Sequence, residues 1–163
     1  MVGFSYSNDG FVSYADDASL LLEKDYWYLK YPLKVDITMG SNFYEIKIPK
    51  GYLTDGASVP RILWSICPKW DKSHKAVILH DYLCEYRIVT INGSPTQISR
   101  EEADKIFLLA LKDEGLSKLK YSLMYGAVRT QATIKGGRFV ELNKVKLQLE
   151  DELRIQLNDS CYK

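Results

Sequence analysis

The sequence predicts an α+β fold, with an N-terminal antiparallel sheet of four to five strands packed against a C-terminal set of four to five helices. Three observations point to it. Up to residue 50 the apolar residues come in short, quickly alternating runs between turn signals, the pattern of half-buried strands. From Pro60 onward they recur at steps of three and four, the period of a helix. The two regimes follow one another and do not interleave, which separates α+β from a parallel βαβ arrangement.

Four or five strands are expected in the first half. Phe11 to Tyr14, Ser19 to Leu22, Tyr26 to Leu29, Leu33 to Thr38 and Phe43 to Ile48 are divided by Asn8-Asp9-Gly10, Tyr31-Pro32 and Met39-Gly40-Ser41-Asn42. The last two form the clearest hairpin: Val35 and Ile37 share one face, and Tyr44, Ile46 and Ile48 share one face of the mate. The 12 tyrosines and 3 tryptophans fall mostly in this first half, where aromatic residues favour strands.

The helices follow. Pro60 suits a first helical turn, so Pro60 to Ile66 reads as a short helix stopped before Pro68. Asp71 or Ser73 can cap the next, to about Tyr86, with Val77, Leu79, His80, Leu83 and Cys84 leaning inward. Thr90 to Gln97 reads as a polar loop. Ser99 and Glu102 form a capping box that opens a helix to Glu114, with Ala103, Ile106, Phe107, Ala110 and Leu111 on its apolar face. Gly115 ends it, and Ser117 can cap a further helix to about Thr133. Residues 1–138 are therefore expected as one α+β domain and 139–163 as an amphipathic C-terminal helix and tail. The stripe Leu142, Val145, Leu149, Leu153, Leu157 can pack on the body or pair with a second copy as a homodimer.

Composition limits the function. A chain of 163 residues suffices for a single core. With 22 basic against 21 acidic residues there is no net field to draw it to nucleic acid. Cys67, Cys84 and Cys161 lack a paired spacing, against a disulfide framework or a zinc ribbon. No basic leader and no run of eighteen apolar residues is present, so neither export nor a membrane span is expected.

The chemistry concentrates in two stretches, Tyr52 to Arg61 (YLTDGASVPR) and Ala76 to Leu83 (AVILHDYL). Gly56 and Ala57 leave Asp55 room to project from a tight turn between a strand and a helix. The ordinary alternative is that Thr54 and Asp55 only bond the turn while Ser58 caps the helix. His80 and Asp81 point about 100° apart on a helix, so they converge only on something at the edge between their faces: a metal ion, an acid–base partner or a buried polar network. Asp104, at the border of its helix's apolar face and one turn after Arg100, can reach His80 or form a salt bridge to Arg100. Asp55, His80, Asp81 and Asp104 together form a mixed His/carboxylate site, either catalytic or ligating a divalent metal such as zinc or manganese. Ser58, Arg61 and Arg100 would then hold an anionic substrate. Weaker patterns are a Ser58, His80, Asp104 triad that lacks the nucleophile elbow, and a His80, Cys84 pair at chelating spacing in which Cys84 reads better as core. His74 reads as solvated. Arg129, Lys135 and Arg138, near the end of the fourth helix with Gly136-Gly137, could touch phosphate but read better as a solvated loop.

These motifs resemble a family of small bacteriophage and prophage proteins catalogued as a domain of unknown function. The resemblance rests on Pro49, Gly51, Tyr52, Thr54 to Ser58, Pro60-Arg61, His80 to Leu83, Ser99-Arg100, Ala103-Asp104 and Ile106-Phe107, and covers about residues 43 to 130. It implies a phage origin and a shared site grouping Asp55, His80, Asp81 and Asp104, without an established reaction. The HD dipeptide is similar to that of HD-type phosphohydrolases, but the isolated upstream histidine of that pattern is missing.

Two functions are expected from these readings. One is a small metal-assisted hydrolase in the host cytoplasm, acting on a phosphoester such as a nucleotide signal, or on a cell-wall bond. The other is a host-takeover, counter-defence or virion protein without catalysis, partnered with a host protein, whose polar cluster is structural.

Overall fold

The hairpin carries the larger sheet. β4 (Leu33–Met39) and β5 (Asn42–Ile48) pair antiparallel, with Leu33, Val35 and Ile37 opposite Ile48, Ile46 and Tyr44. Gly40, at φ 63°, supplies the positive φ that a two-residue hairpin loop demands. Lys34, Asp36, Glu45 and Lys47 point to the other face, where Lys34 bridges Asp36 and Glu45. This computed structural model describes residues 2–56, 72–134, 136–137 and 141–159. The short helix expected from Pro60 to Ile66, together with Ser58 and Arg61, lies outside the described residues.

β1 (Val2–Tyr6) adds to β4, β7 (Ile88–Ile91) adds to β5 and β8 (Ser94–Gln97) adds to β7, giving the antiparallel order β1-β4-β5-β7-β8. A smaller sheet, β2-β3-β6, is built from β2 (Val12–Tyr14), β3 (Trp27–Leu29) and β6 (Leu53–Thr54). The helices are α1 (Asp16–Leu21), α2 (His74–Tyr86), α3 (Arg100–Asp113), α4 (Lys118–Ile134) and α5 (Lys144–Asp159). The fold is α+β, with most of the helix in the C-terminal half.

Two local expectations are corrected. Ser19 to Leu22 is not a strand: Ser19, Leu20 and Leu21 close α1, which has Asp16 and Asp17 in its first turn and buries Ala18, leaving Leu20 80% exposed. Two acids at a helix start and one small inward residue outweigh the β propensity of so short a run. Thr90 to Gln97 is not a loop but most of the β7/β8 hairpin, turning on Asn92 (φ 49°) and Gly93 (φ 84°). Asn-Gly is the favoured turn of a tight hairpin, and Pro95 is tolerated because β8 is an edge strand.

The core sits between the larger sheet and α2 and α3. Leu33, Val35, Ile37 and Ile46 meet Ile78, Leu79, Leu83, Ile106 and Leu111, all nearly or fully buried. Each such side chain removed from water contributes roughly 1.5–3 kcal/mol, which makes this layer the main support of the fold. α3 starts on the capping box: Ser99 Oγ accepts from the Glu102 N–H, and Glu102 accepts from the Ser99 N–H. α3 lies between α2 and α4. Among the described residues, no helix is long and apolar enough to cross a membrane.

α5 packs on the body. Asn143 Oδ1 caps it by accepting from the Val145 and Lys146 N–H groups, and Leu149 and Leu153 rest against Ala15, Ala18 and Leu53. Glu150, fully buried, accepts the Leu53 N–H at 2.9 Å and the Tyr86 hydroxyl at 3.0 Å. Gly51 lets the helix come close, since a Cβ there would lie 3.0 Å from Arg154 Cγ and 3.2 Å from Glu150 O.

Candidate functional site

α2 carries polar groups on two of its sides. Its interior run from Ala76 to Leu79 is buried, so the helix is anchored before the polar pair His80-Asp81 is reached. The 100° step then sends His80 toward α3 and Asp81 toward β6.

On the α3 side, His80 Nε2 lies 2.8 Å from Asp104 Oδ1. Arg100 Nε donates to the same oxygen at 2.9 Å, one turn earlier on α3, and Arg129 of α4 donates to Oδ2 at 3.0 Å. Asp104 is fully buried and Arg100 nearly so, whereas Arg129 keeps 40% of its side chain exposed. Burial disfavours the Asp104 anion, but hydrogen bonds from His80 and Arg100 outweigh it and hold its pKa below the usual range. Burial, opposed by Asp104, lowers the pKa of His80. The arrangement is a neutral imidazole donating Nε2–H to an ionised carboxylate that two guanidinium groups neutralise. Arg129, read as solvated near the end of α4, instead donates to Asp104 and closes this cluster.

Cys84 adds a third donor. Its Sγ is 3.4 Å from His80 Nε2, and the donor atoms of His80, Cys84 and Asp104 all lie within 4.8 Å of one another. This buried group could hold a metal ion. Its chemistry is less favourable than its spacing. Burial pushes the Cys84 thiol up to about 12, and both oxygens of Asp104 already accept from cationic or imidazole donors. The i, i+4 spacing of His80 and Cys84 carried the signal for this donor.

On the β6 side, Thr54 Oγ1 donates to Asp81 Oδ2 at 2.5 Å and accepts the Gly56 N–H at 3.1 Å. Thr54 is buried and Asp81 half-buried. Burial raises the Asp81 pKa to about 7; the Thr54 bond opposes this, and Glu85, one turn along α2, adds to it. Asp55, next to Thr54, pairs with the Lys24 ammonium from the segment after α1. Lys24 acts on both carboxyl groups: it pairs with Asp55 and opposes the rise in the Asp81 pKa, while the Thr54 hydroxyl holds Asp81 alone. Thr54 as the holder of Asp81 was missed, because its side chain has no distinguishing pattern in the sequence.

The structure therefore brings His80 and Asp104 together, with Arg100 bonded to Asp104, and places Asp55 and Asp81 with Thr54. A third cluster adjoins Asp81. Glu85 accepts from Lys146 of α5 at 2.5 and 2.7 Å and from the Tyr52 hydroxyl at 3.0 Å. Burial raises the Glu85 pKa and Lys146 opposes it.

Residues 27–128 match the family described as protein of unknown function (DUF1353). "Uncharacterized protein y4jT" of Sinorhizobium fredii (strain NBRC 101917 / NGR234) is 32% identical over 85 residues, covering 51% of this chain and 23% of that protein. The chain thus spans less than a quarter of the length of this curated relative. No solved structure matches it. The family match takes in β6, α2, α3 and most of α4, and with them Thr54, Asp55, His80, Asp81, Arg100 and Asp104; the chain belongs to the DUF1353 family.

Proposed function

We propose that this protein is a phage-encoded hydrolase of the host cytoplasm in which Asp81 transfers the proton, cleaving a cell-wall bond or a phosphoester. The observation that carries the reading is the pair of carboxyl groups at the end of β6, Asp81 and Asp55, on both of which Lys24 acts. Asp81 is held by a hydroxyl and half-buried, while Asp55 is paired with Lys24. Two carboxyl groups in unlike surroundings are the requirement for dividing acid and base roles. With its pKa near 7, Asp81 is protonated in part at neutral pH and can give its proton to a leaving oxygen. Water supplies the hydroxyl that completes hydrolysis, and its remaining proton restores Asp81. Ser58 and Arg61, close in sequence to Asp55, are the candidates for holding the substrate.

In this account the Asp104 cluster is a brace. It fixes α2 against α3 and α4 and so holds Asp81 in place. A metal-assisted version, with zinc or manganese on His80, Cys84 and Asp104, requires Arg100 and Arg129 to release Asp104. Metal content of the purified protein separates the two.

The test uses purified cell-wall sacculi and a set of linear and cyclic dinucleotides. The full chain releases soluble product from one of them, and Asp81→Asn, folded by circular dichroism, loses that release. Turnover retained in Asp81→Asn, or absent on every substrate, defeats the proposal. A second reading, a host-takeover or virion protein that binds without catalysis, draws on the complete pairing of Asp104, since a closed network favours scaffolding. Absence of turnover together with capture of a host protein favours it.

A further inference from the structure

Lys146 ends in an enclosed site. Its Nζ lies 2.5 and 2.7 Å from the two Glu85 oxygens and 3.7 Å from Glu150 Oε1. The Tyr52 ring centroid is 4.6 Å from the same nitrogen and the Tyr26 centroid 5.9 Å. The lysine side chain is 7% exposed. Carboxylates that accept N–H donors, combined with aromatic rings that attract positive charge, form a cage suited to a primary ammonium.

Two walls of the cage, Tyr52 and Glu85, come from a different part of the chain than the occupant, whereas Glu150 shares α5 with it. Tyr52 and Glu85 fall inside the stretch that matches the family, residues 27–128, and Lys146 lies beyond it on α5. The cage is also close to Asp81. Glu85 follows Asp81 by one turn on α2, and residues so spaced have Cβ atoms about 5–6 Å apart.

The polar fastening of α5 is suited to exchange. Glu150 bonds the Leu53 N–H and the Tyr86 hydroxyl, groups that water can serve when the helix lifts. The ammonium of Lys146 cannot leave so easily, because Glu85 would stay behind as a buried, unpaired anion. An incoming ammonium removes that obstacle by taking over the contacts to Glu85 and the Tyr52 ring, which stay on the body when Glu150 leaves with α5.

We propose that this cage binds a primary alkylammonium group carried by the substrate of the Asp81 centre, and that Lys146 is an internal occupant which the substrate displaces. That the ammonium belongs to a substrate of Asp81 rests on the hydrolase reading; the cage and its place beside Asp81 do not. A substrate anchored there presents a bond a few ångströms from its amine to Asp81. A quaternary ammonium satisfies the rings but cannot donate to Glu85, so the site discriminates in favour of the primary amine.

The experiment is done on the full chain with Lys146→Ala, using n-butylammonium as the probe and 1-butanol and tetramethylammonium as controls. Calorimetric titration shows n-butylammonium binding to Lys146→Ala at least about 10-fold more tightly than to the unsubstituted chain, and more tightly than either control. Adding Glu85→Gln removes the preference. In the unsubstituted chain, n-butylammonium chloride accelerates hydrogen exchange of the Leu53 amide relative to tetramethylammonium chloride at equal ionic strength. That arm serves if Lys146→Ala does not fold. No preference for n-butylammonium in a folded Lys146→Ala, or no acceleration at Leu53 where that variant is unfolded, overturns the proposal. Both readouts are of binding, so they stand or fall separately from turnover.

Discussion

Replacing Asp81 by Asn should stabilise the protein, and only above acidic pH. Asparagine keeps the size and an oxygen to accept from Thr54, but it removes the charge that burial opposes. A carboxyl moved from 3.8 to about 7 corresponds, at about 1.36 kcal/mol per pH unit, to roughly 4 kcal/mol of opposition to the ionised form in the folded state. Asp81 keeps some contact with solvent, so about half of this, about 2 kcal/mol, is expected in practice. The sign follows from proton linkage. Below pH of about 4 the carboxyl is protonated in both the folded and unfolded chain, and the variant and the original match. Between about 4 and 7 the folded chain binds more protons than the unfolded one, so the original loses stability as pH rises. Above about 7 the difference levels off in favour of Asp81→Asn. Urea unfolding of both proteins at pH 4, 6 and 8, followed by circular dichroism, measures it. A variant equally or less stable at pH 8, or a difference that does not change with pH, refutes the reasoning.

Other predictions concern the brace and α5. Asp104→Asn leaves two guanidinium groups facing a neutral amide and should cost about 3–5 kcal/mol in urea unfolding, whereas Arg129→Ala, at the exposed rim, should cost about 1 kcal/mol or less. Metal analysis should find well under about 0.1 equivalent of zinc or manganese, because the two arginines already satisfy Asp104; near-stoichiometric metal lost in His80→Ala would favour the metal-assisted version. Gly51→Ala, at φ 77° and with a Cβ pressed on α5, should destabilise by about 1–3 kcal/mol and speed amide exchange at Leu53.

What could be read from the sequence was what local rules control. The β4/β5 hairpin follows from alternation and a glycine turn, and the start of α3 from a capping box four residues long. α1 and the β7/β8 hairpin were misread where two local signals compete, acids against β propensity in one and Asn-Gly against a proline in the other. In the site, the bond between His80 and Asp104 follows from the sequence, because His80 leans inward on α2 and Asp104 borders the apolar face of α3. The separation of Asp81 from His80 is implicit in the helix's 100° step, yet which partner Asp81 would find depended on where β6 lies. Lys146 and Glu150 lie between the apolar residues of the C-terminal stripe, where the helical pattern marks no buried position. Their burial arises from contacts 61 and 97 residues away, to Glu85 and Leu53, which no local pattern encodes.

The proton affinity of Asp81 is the central claim, and carbon-13 NMR of its side-chain carboxyl across pH 3 to 9 measures it directly. The account predicts a titration midpoint near 7. A midpoint near 4, the ordinary value for an aspartate, would contradict it.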